Sequence, residues 1–128
     1  MNSLFLSLLL AFSSPLLLLP LERLSPHLYF LEEIAKLIIV LLMTKAEKER
    51  KRNFKSLAVL GGFIFAFSES VFYLVNILTL GDLSLFPKRL MLTGVLHMGT
   101  IFLLYLLVKR GKTGTVVGLM LSALIHYL

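Results

Sequence analysis

The chain has 128 residues, of which 58% are hydrophobic and 16% are charged, and its net charge is +6. Soluble globular domains carry about 25% charged residues, so this composition is typical of an integral membrane protein with one domain. The sequence contains no cysteine, which excludes disulfides, thiolate catalysis and cysteine metal sites. Any chemistry therefore depends on Glu, His, Lys and hydroxyl groups.

Successive apolar runs predict an all-α integral membrane fold, a bundle of about five transmembrane helices in a single domain covering residues 1–128. The predicted spans are residues 4–20, 27–44, 57–80, 89–108 and 113–128. The first contains Pro15 and ends at Pro20, which predicts a short or kinked helix. A signal peptide is the alternative, but the basic residues that open such peptides are missing. The last span has a predicted length of roughly 24 Å, barely a crossing.

Basic residues lie mainly between the apolar runs and predict the orientation of the chain. Six of them lie in the loop from Lys45 to Lys55, and Lys109, Arg110 and Lys112 bring that side to nine, whereas the other side has only Arg23, Lys88 and Arg89. The positive-inside rule therefore predicts a cytoplasmic N-terminus in a multi-pass protein of the cell membrane. Aromatic residues do not alternate with the basic ones, so we expect no nucleic-acid partner.

Ionisable residues inside the predicted spans are the most informative feature of the sequence. They are Glu32, Glu33, Lys36, Glu69 and His97. A charge at the centre of a spanning helix costs roughly 2.5–3.5 kcal/mol, so these side chains are expected to face the interior of the bundle. Helix rise places the two carboxylates of span two, Glu69, His97 and His126 at roughly 9–16 Å below the outer face. One buried polar layer is therefore predicted.

The second span carries Glu32, Glu33 and Lys36 within a little more than one helical turn. At 100° per residue the lysine lies between the two carboxylates, where its ammonium can contact both. The cluster has two interpretations: an ion-paired structural plug, or a desolvated carboxylate that acts as a general base. One lysine does not balance the charge of two carboxylates, and this excess charge favours the interpretation as a general base.

Three later spans carry polar side chains at a spacing of four residues. They contain Phe65 and Glu69; Arg89, Thr93 and His97; and Gly118, Ser122 and His126. Residues four apart lie on one helix face. An aromatic beside Glu69 provides packing and desolvation, whereas the small residues of the last span allow close helix approach.

The order of these motifs resembles the PrsW family of membrane proteases, which is related to the superfamily of CAAX prenyl proteases and bacteriocin-processing (CPBP) proteins. The motifs are Glu32-Glu33-x-x-Lys36, Phe65-x-x-x-Glu69, Arg89 followed eight residues later by His97, and a final-helix His126. They cover about residues 30–126. Related proteins often carry His-x-x-x-Asn, which would place an asparagine at position 130.

The resemblance implies an intramembrane endopeptidase that cleaves membrane-anchored proteins or peptides with glutamate-activated water. By the family pattern Glu32 and Glu33 are the catalytic pair, with either one as the base, and Lys36 orients and balances them. Glu69 and His97 complete the water site or stabilise the tetrahedral intermediate. Phe65, Arg89, Thr93 and His126 support them.

Other interpretations stay open at the level of the sequence. We expect a metal-free site without a cofactor, but carboxylate and imidazole also bind zinc. In that case Glu33, Glu69, His97 and His126 are the predicted ligands. A non-catalytic membrane binding or immunity-type protein on the same scaffold is the main alternative function. A small proton- or cation-coupled transporter is another, although a relay predicts polar residues throughout the membrane depth.

Overall fold

The computed structural model describes residues 2–25, 27 and 29–128 of the chain. Leu28, near the predicted start of the second span, lies outside the described residues. Every regular element in the described part is helical, and six α-helices occur there. They are α1 (Ser3–Glu22), α2 (Tyr29–Arg50), α3 (Lys55–Phe72), α4 (Leu74–Leu80), α5 (Leu85–Val108) and α6 (Lys112–Tyr127).

Three of these helices, α1, α3 and α5, are long and apolar enough to cross a membrane. Large apolar side chains also remain exposed around the bundle, among them Leu17, Met91 and Met120, each more than 60% exposed. Monomeric soluble proteins rarely expose extended apolar surfaces of this kind. The helices and their surface therefore indicate a membrane protein, which agrees with the predicted all-α membrane fold.

Helices α1, α2, α5 and α3 form a ring, and α6 packs between α2 and α5, where one of its faces also points to the interior. Helix α1 packs against α2 and α3, and α5 packs against the same two helices from the other side. Helix α6 covers the groove between α2 and α5, whereas the short α4 contacts α3 and α5. The apolar core of the ring includes Ile39, Met43, Phe65, Ile101 and Leu104. This arrangement directs one face of α2, α3, α5 and α6 into a common interior.

Helix α5 begins at Leu85, four residues before the predicted start at 89, and two larger differences from the predicted spans occur. Helix α2 continues through the predicted loop as far as Arg50, because Ala, Lys, Glu and Arg are strong helix formers. The predicted span 57–80 is divided at Tyr73 into α3 and α4. The break occurs where Arg89 stacks on the Tyr73 ring at 3.8 Å and Arg23 lies 5.8 Å from its centroid.

The prolines of the first helix do not end it. Helix α1 continues through Pro15 and Pro20 to Glu22. The Ser14 hydroxyl donates to the Leu10 carbonyl at 2.6 Å, and such back-bonding is common in membrane helices that contain proline. The uninterrupted helix brings Glu22, at its C-terminal end, to the polar layer.

Close contact between α3 and α5 depends on Gly62. A Cβ built at this position would lie within 3 Å of the Met98 backbone and of the His97 carbonyl oxygen. A glycine at a helix crossing lets two backbones approach this closely. Gly62 therefore sets the distance between α3, which carries Glu69, and α5, which carries His97.

Candidate active site

The four catalytic residues predicted from the sequence lie together in the interior of the bundle. Glu32 and Glu33 come from α2, Glu69 from α3 and His97 from α5, and all four are buried. His126 of α6 joins them, with its ring centroid 5.8 Å from that of His97. The structure thus contains the predicted polar layer, which four helices build.

Glu33 is a fully occupied carboxylate. Its Oε1 accepts hydrogen bonds from Lys36 Nζ at 2.5 Å and from His126 Nδ1 at 2.7 Å. Its Oε2 accepts a hydrogen bond from the Ser122 hydroxyl. A carboxylate that accepts from three donors, one of them an ammonium, is a weak base. Its geometry suits holding α2 and α6 in register.

Glu32 has a different environment, although it is the next residue in the chain. Its side chain is 2% exposed, and its Oε2 has no hydrogen-bond partner within the described residues. His126 Nδ1 lies 3.4 Å from that oxygen. The Lys36 ammonium bonds only to Glu33 among the described carboxylates, so the predicted position between both is not observed. Glu32 therefore presents an unpartnered lone pair to the interior.

Glu22 of α1 is a member of the cluster that the sequence did not single out. Its carboxyl group neighbours that of Glu32, and its Oε1 is buried without a described partner. Two neighbouring carboxyl groups hydrogen-bond to each other when one of them carries a proton. The signal in the sequence was a carboxylate at the end of an apolar run, which is ordinarily an interfacial residue.

Glu69 orients His97 from the opposite side of the cluster. Glu69 Oε2 lies 2.5 Å from His97 Nε2, and Glu69 Oε1 accepts from Arg89 Nη2 at 2.8 Å. An ionised carboxylate only accepts, so His97 Nε2 donates and Nδ1 of the neutral ring is an acceptor. That Nδ1 is buried and has no partner in the described part of the chain.

The remaining supporting residues surround this pair. Phe65 packs against the His97 ring, with centroids 4.9 Å apart, and lies under the Lys36 ammonium at 5.5 Å. It thus desolvates His97 and Lys36, whereas the sequence placed it beside Glu69. The Thr93 hydroxyl donates to the Arg89 carbonyl at 2.8 Å and so lies at the edge of the cluster.

The structure does not bring the four predicted zinc ligands together as one group. Within the described residues, potential ligand atoms of Glu32, Glu33 and His126 lie within 4.8 Å of one another. The predicted ligands Glu69 and His97 are not in this group; they bond to each other, and Arg89 binds the other oxygen of Glu69. Lys36 Nζ lies 2.5 Å from Glu33 Oε1, so its ammonium would repel a divalent cation there. Electrostatics at this position therefore oppose metal binding.

A second polar cluster lies at the other end of the bundle. Glu47 accepts hydrogen bonds from Lys109 Nζ at 2.5 Å, from the Phe54 amide at 3.3 Å and from the Tyr105 hydroxyl. Burial opposes ionisation of Glu47, but these donors outweigh it and lower the pKa of the carboxyl. The hydrogen bond to Glu47 raises the pKa of Lys109. The cluster connects the ends of α2 and α5.

Comparisons of the chain with models of protein families, with curated proteins and with solved structures find no match.

Proposed function

We propose that the chain is an intramembrane endopeptidase of glutamic type, in which Glu32 activates water to hydrolyse a peptide bond of a membrane-anchored protein or peptide. The observation that carries the proposal is the contrast within the carboxylate pair. Three donors occupy Glu33, whereas Glu32 has an unpartnered buried oxygen. The order of motifs, which resembles that of PrsW-type proteases, supports the same activity.

The proposed reaction needs a base, oxyanion donors and an acid, and the cluster contains candidates for each. Glu32 takes a proton from water, and the hydroxide forms a bond to the carbonyl carbon of the substrate. His97 Nδ1, an acceptor because Nε2 donates to Glu69, accepts a hydrogen bond from the attacking water. His126 in its protonated form stabilises the oxyanion through Nε2–H, since its Nδ1–H donates to Glu33. The Glu22–Glu32 pair returns the proton to the leaving amine as the C–N bond breaks.

An apolar layer favours this activity over a transport pathway. Buried Ile39, Val40 and Met43 of α2 lie between the catalytic cluster and Glu47, together with Ile101 and Leu104 of α5. A proton or cation relay requires polar groups along the whole path. The ionisable residues of the described interior instead form two separate groups, as an enclosed site requires.

The same proposal includes five membrane spans with a cytoplasmic N-terminus. Helices α2 and α6 are the two additional spans, because they share the buried site with α3 and α5, which are long and apolar enough to cross a membrane. A tag placed after Leu128 is then accessible from outside the cell. A cytoplasmic tag would contradict this orientation.

The decisive experiment compares two isosteric variants in a cleavage assay. Full-length protein in detergent is mixed with a membrane-anchored peptide, and products are identified by mass spectrometry. Glu32→Gln is expected to reduce cleavage by at least about 100-fold, since a general base contributes roughly 10²–10⁴. Glu49→Gln is the matched control, because that carboxylate bonds to Ser3 far from the site.

Two results would contradict the proposed mechanism. Full activity in Glu32→Gln would remove the assigned base. Activity that is lost in strong chelators and restored by zinc would replace the metal-free mechanism with a metal-dependent one.

A further inference from the structure

The strongest feature outside the catalytic cluster is a basic groove at the opposite end of the bundle. It has a volume of about 380 Å³ and lies between the last turns of α2 and α5 and the first turn of α6. Its walls include Leu41, Lys48, Val108, Lys109 and Lys112. This groove does not contribute to the proposed hydrolysis.

The charge inside the groove is unbalanced. Lys109 is paired with Glu47 at 2.5 Å, and the two oxygens of that carboxylate are both occupied. Lys48 and Lys112 form no ion pair within the described part of the chain. Two ammonium groups therefore face one opening without a carboxylate to neutralise them.

The first turn of α6 carries the positive end of a helix dipole. Gly111 precedes α6 with a φ of 94°, and no side chain caps the helix there. The first described backbone donor in this helix is the Thr115 amide, which bonds to the Gly111 carbonyl at 3.0 Å. The earlier amides of the first turn have no carbonyl of their own helix to bond. Such a helix start favours an anion next to Lys112.

The groove also changes in polarity along its length. On α2, Leu41 and Lys48 lie two turns apart on one face, with the apolar residue nearer the middle of the bundle. Val108, the last residue of α5, is a second apolar residue in the wall of the groove. An apolar floor under a rim of lysines matches a molecule with a charged head and a hydrocarbon tail. A small free anion would not contact the apolar floor.

We propose that this groove binds the headgroup of an anionic phospholipid, with the lipid phosphate between Lys48 and Lys112 and the start of the acyl chain against Leu41 and Val108. The position is consistent with the surface of an anionic leaflet, which attracts basic segments next to spanning helices. The site is independent of the proposed protease activity.

The test measures binding of fluorescently tailed phosphatidylglycerol to the full chain in a neutral detergent. Lys48→Gln combined with Lys112→Gln is expected to weaken binding roughly 25-fold, since each lysine contributes about a factor of five near an anionic surface. Lys45→Gln with Lys51→Gln is the control, because it removes the same charge outside the groove. We expect that control to change binding less than threefold and phosphatidylcholine to bind weakly.

Several outcomes would overturn the site. Equal losses in the two double variants would show a diffuse charge effect, and no loss in the groove variant would show that the lipid binds elsewhere. Displacement of the lipid by inorganic phosphate at the same concentration would identify a free-anion site. Circular dichroism of all variants is expected to match the parent, because Lys48 and Lys112 are exposed.

Discussion

The two polar clusters of this bundle have similar residue types but differ in how completely their hydrogen bonds are satisfied. Around Glu47 each carboxylate oxygen has a donor. In the catalytic cluster Glu22 Oε1, Glu32 Oε2 and His97 Nδ1 are buried without partners among the described residues. Buried polar atoms are normally paired. We infer that the first cluster holds helices together, whereas the second keeps buried atoms unpartnered, as the proposed reaction with water and substrate requires.

The same contrast recurs within two adjacent residues. Glu33 resembles Glu47, because both of its oxygens accept hydrogen bonds and these bonds hold neighbouring residues in place. Glu32 instead resembles His97, since each has one unpartnered atom turned into the interior. The structural role and the proposed chemical role are thus divided between neighbours on α2.

The largest expected effect separates these roles by stability. Glu33→Gln leaves the buried Lys36 without its counterion, and breaking a buried ion pair costs about 3–5 kcal/mol. The free energy of unfolding can be measured by circular dichroism during titration with denaturing detergent. Glu32→Gln is the matched control and is expected to keep the parent stability. Equal losses in the two variants would contradict the division between them.

A smaller effect is expected from increasing the distance between α3 and α5. Gly62→Ala places a methyl group against the Met98 backbone, and overpacking typically costs about 1–3 kcal/mol. Because the shift also separates Glu69 from His97, cleavage is expected to fall about tenfold or more. Gly99→Ala is the control, since a Cβ there meets nothing within 4 Å. Parent-like cleavage in Gly62→Ala would contradict the role assigned to this contact.

The smallest effect is expected at Glu47. Glu47→Gln removes a partly exposed ion pair and is expected to cost about 1 kcal/mol without changing catalysis. The pKa of Glu47 is lowered below its ordinary value of 4.5. Its stabilisation is therefore present above pH 4.5 and lost as the pH falls through the lower folded-state value.

Unfolding titrations at pH 6 and pH 3 measure this stabilisation by Glu47. Glu47→Gln is expected to reduce the difference in the free energy of unfolding between the two pH values. The raised pKa of Lys109 gives the opposite dependence at high pH. Its contribution is present below pH 10.5 and is lost as the pH rises through the folded-state value. An unchanged acid response in Glu47→Gln would show that other carboxylates dominate it.

Much of the catalytic layer was predictable because burial of charge in lipid leaves few solutions. A glutamate or histidine inside an apolar run must face other helices, so helix rise alone estimates its depth. The estimate from helix rise gives Glu69, His97 and His126 similar depths. The start of α6 at Lys112 and the end of α5 at Val108 also follow the hydrophobic pattern closely.

Other features depended on partners that are distant in sequence. Spacing on α2 allowed Lys36 to reach either carboxylate, and the neighbouring helix decided between them. Ser122 and His126 of α6 approach Glu33 from 89 and 93 residues away. Glu22 was not predicted as a site residue, because its contact with Glu32 depends on the path of α1 through two prolines.

The sequence by itself determined which charged side chains inside the apolar runs have to be buried, and on which helices they lie. The physical reason is the cost of charge in an apolar medium, which acts on each residue wherever the helices pack. Only the tertiary structure decided which oxygen is saturated and which is open. Hydrogen bonds are directional and short, so their pairing depends on helix rotation and on the close approach at Gly62. Neither of these is encoded in residue spacing.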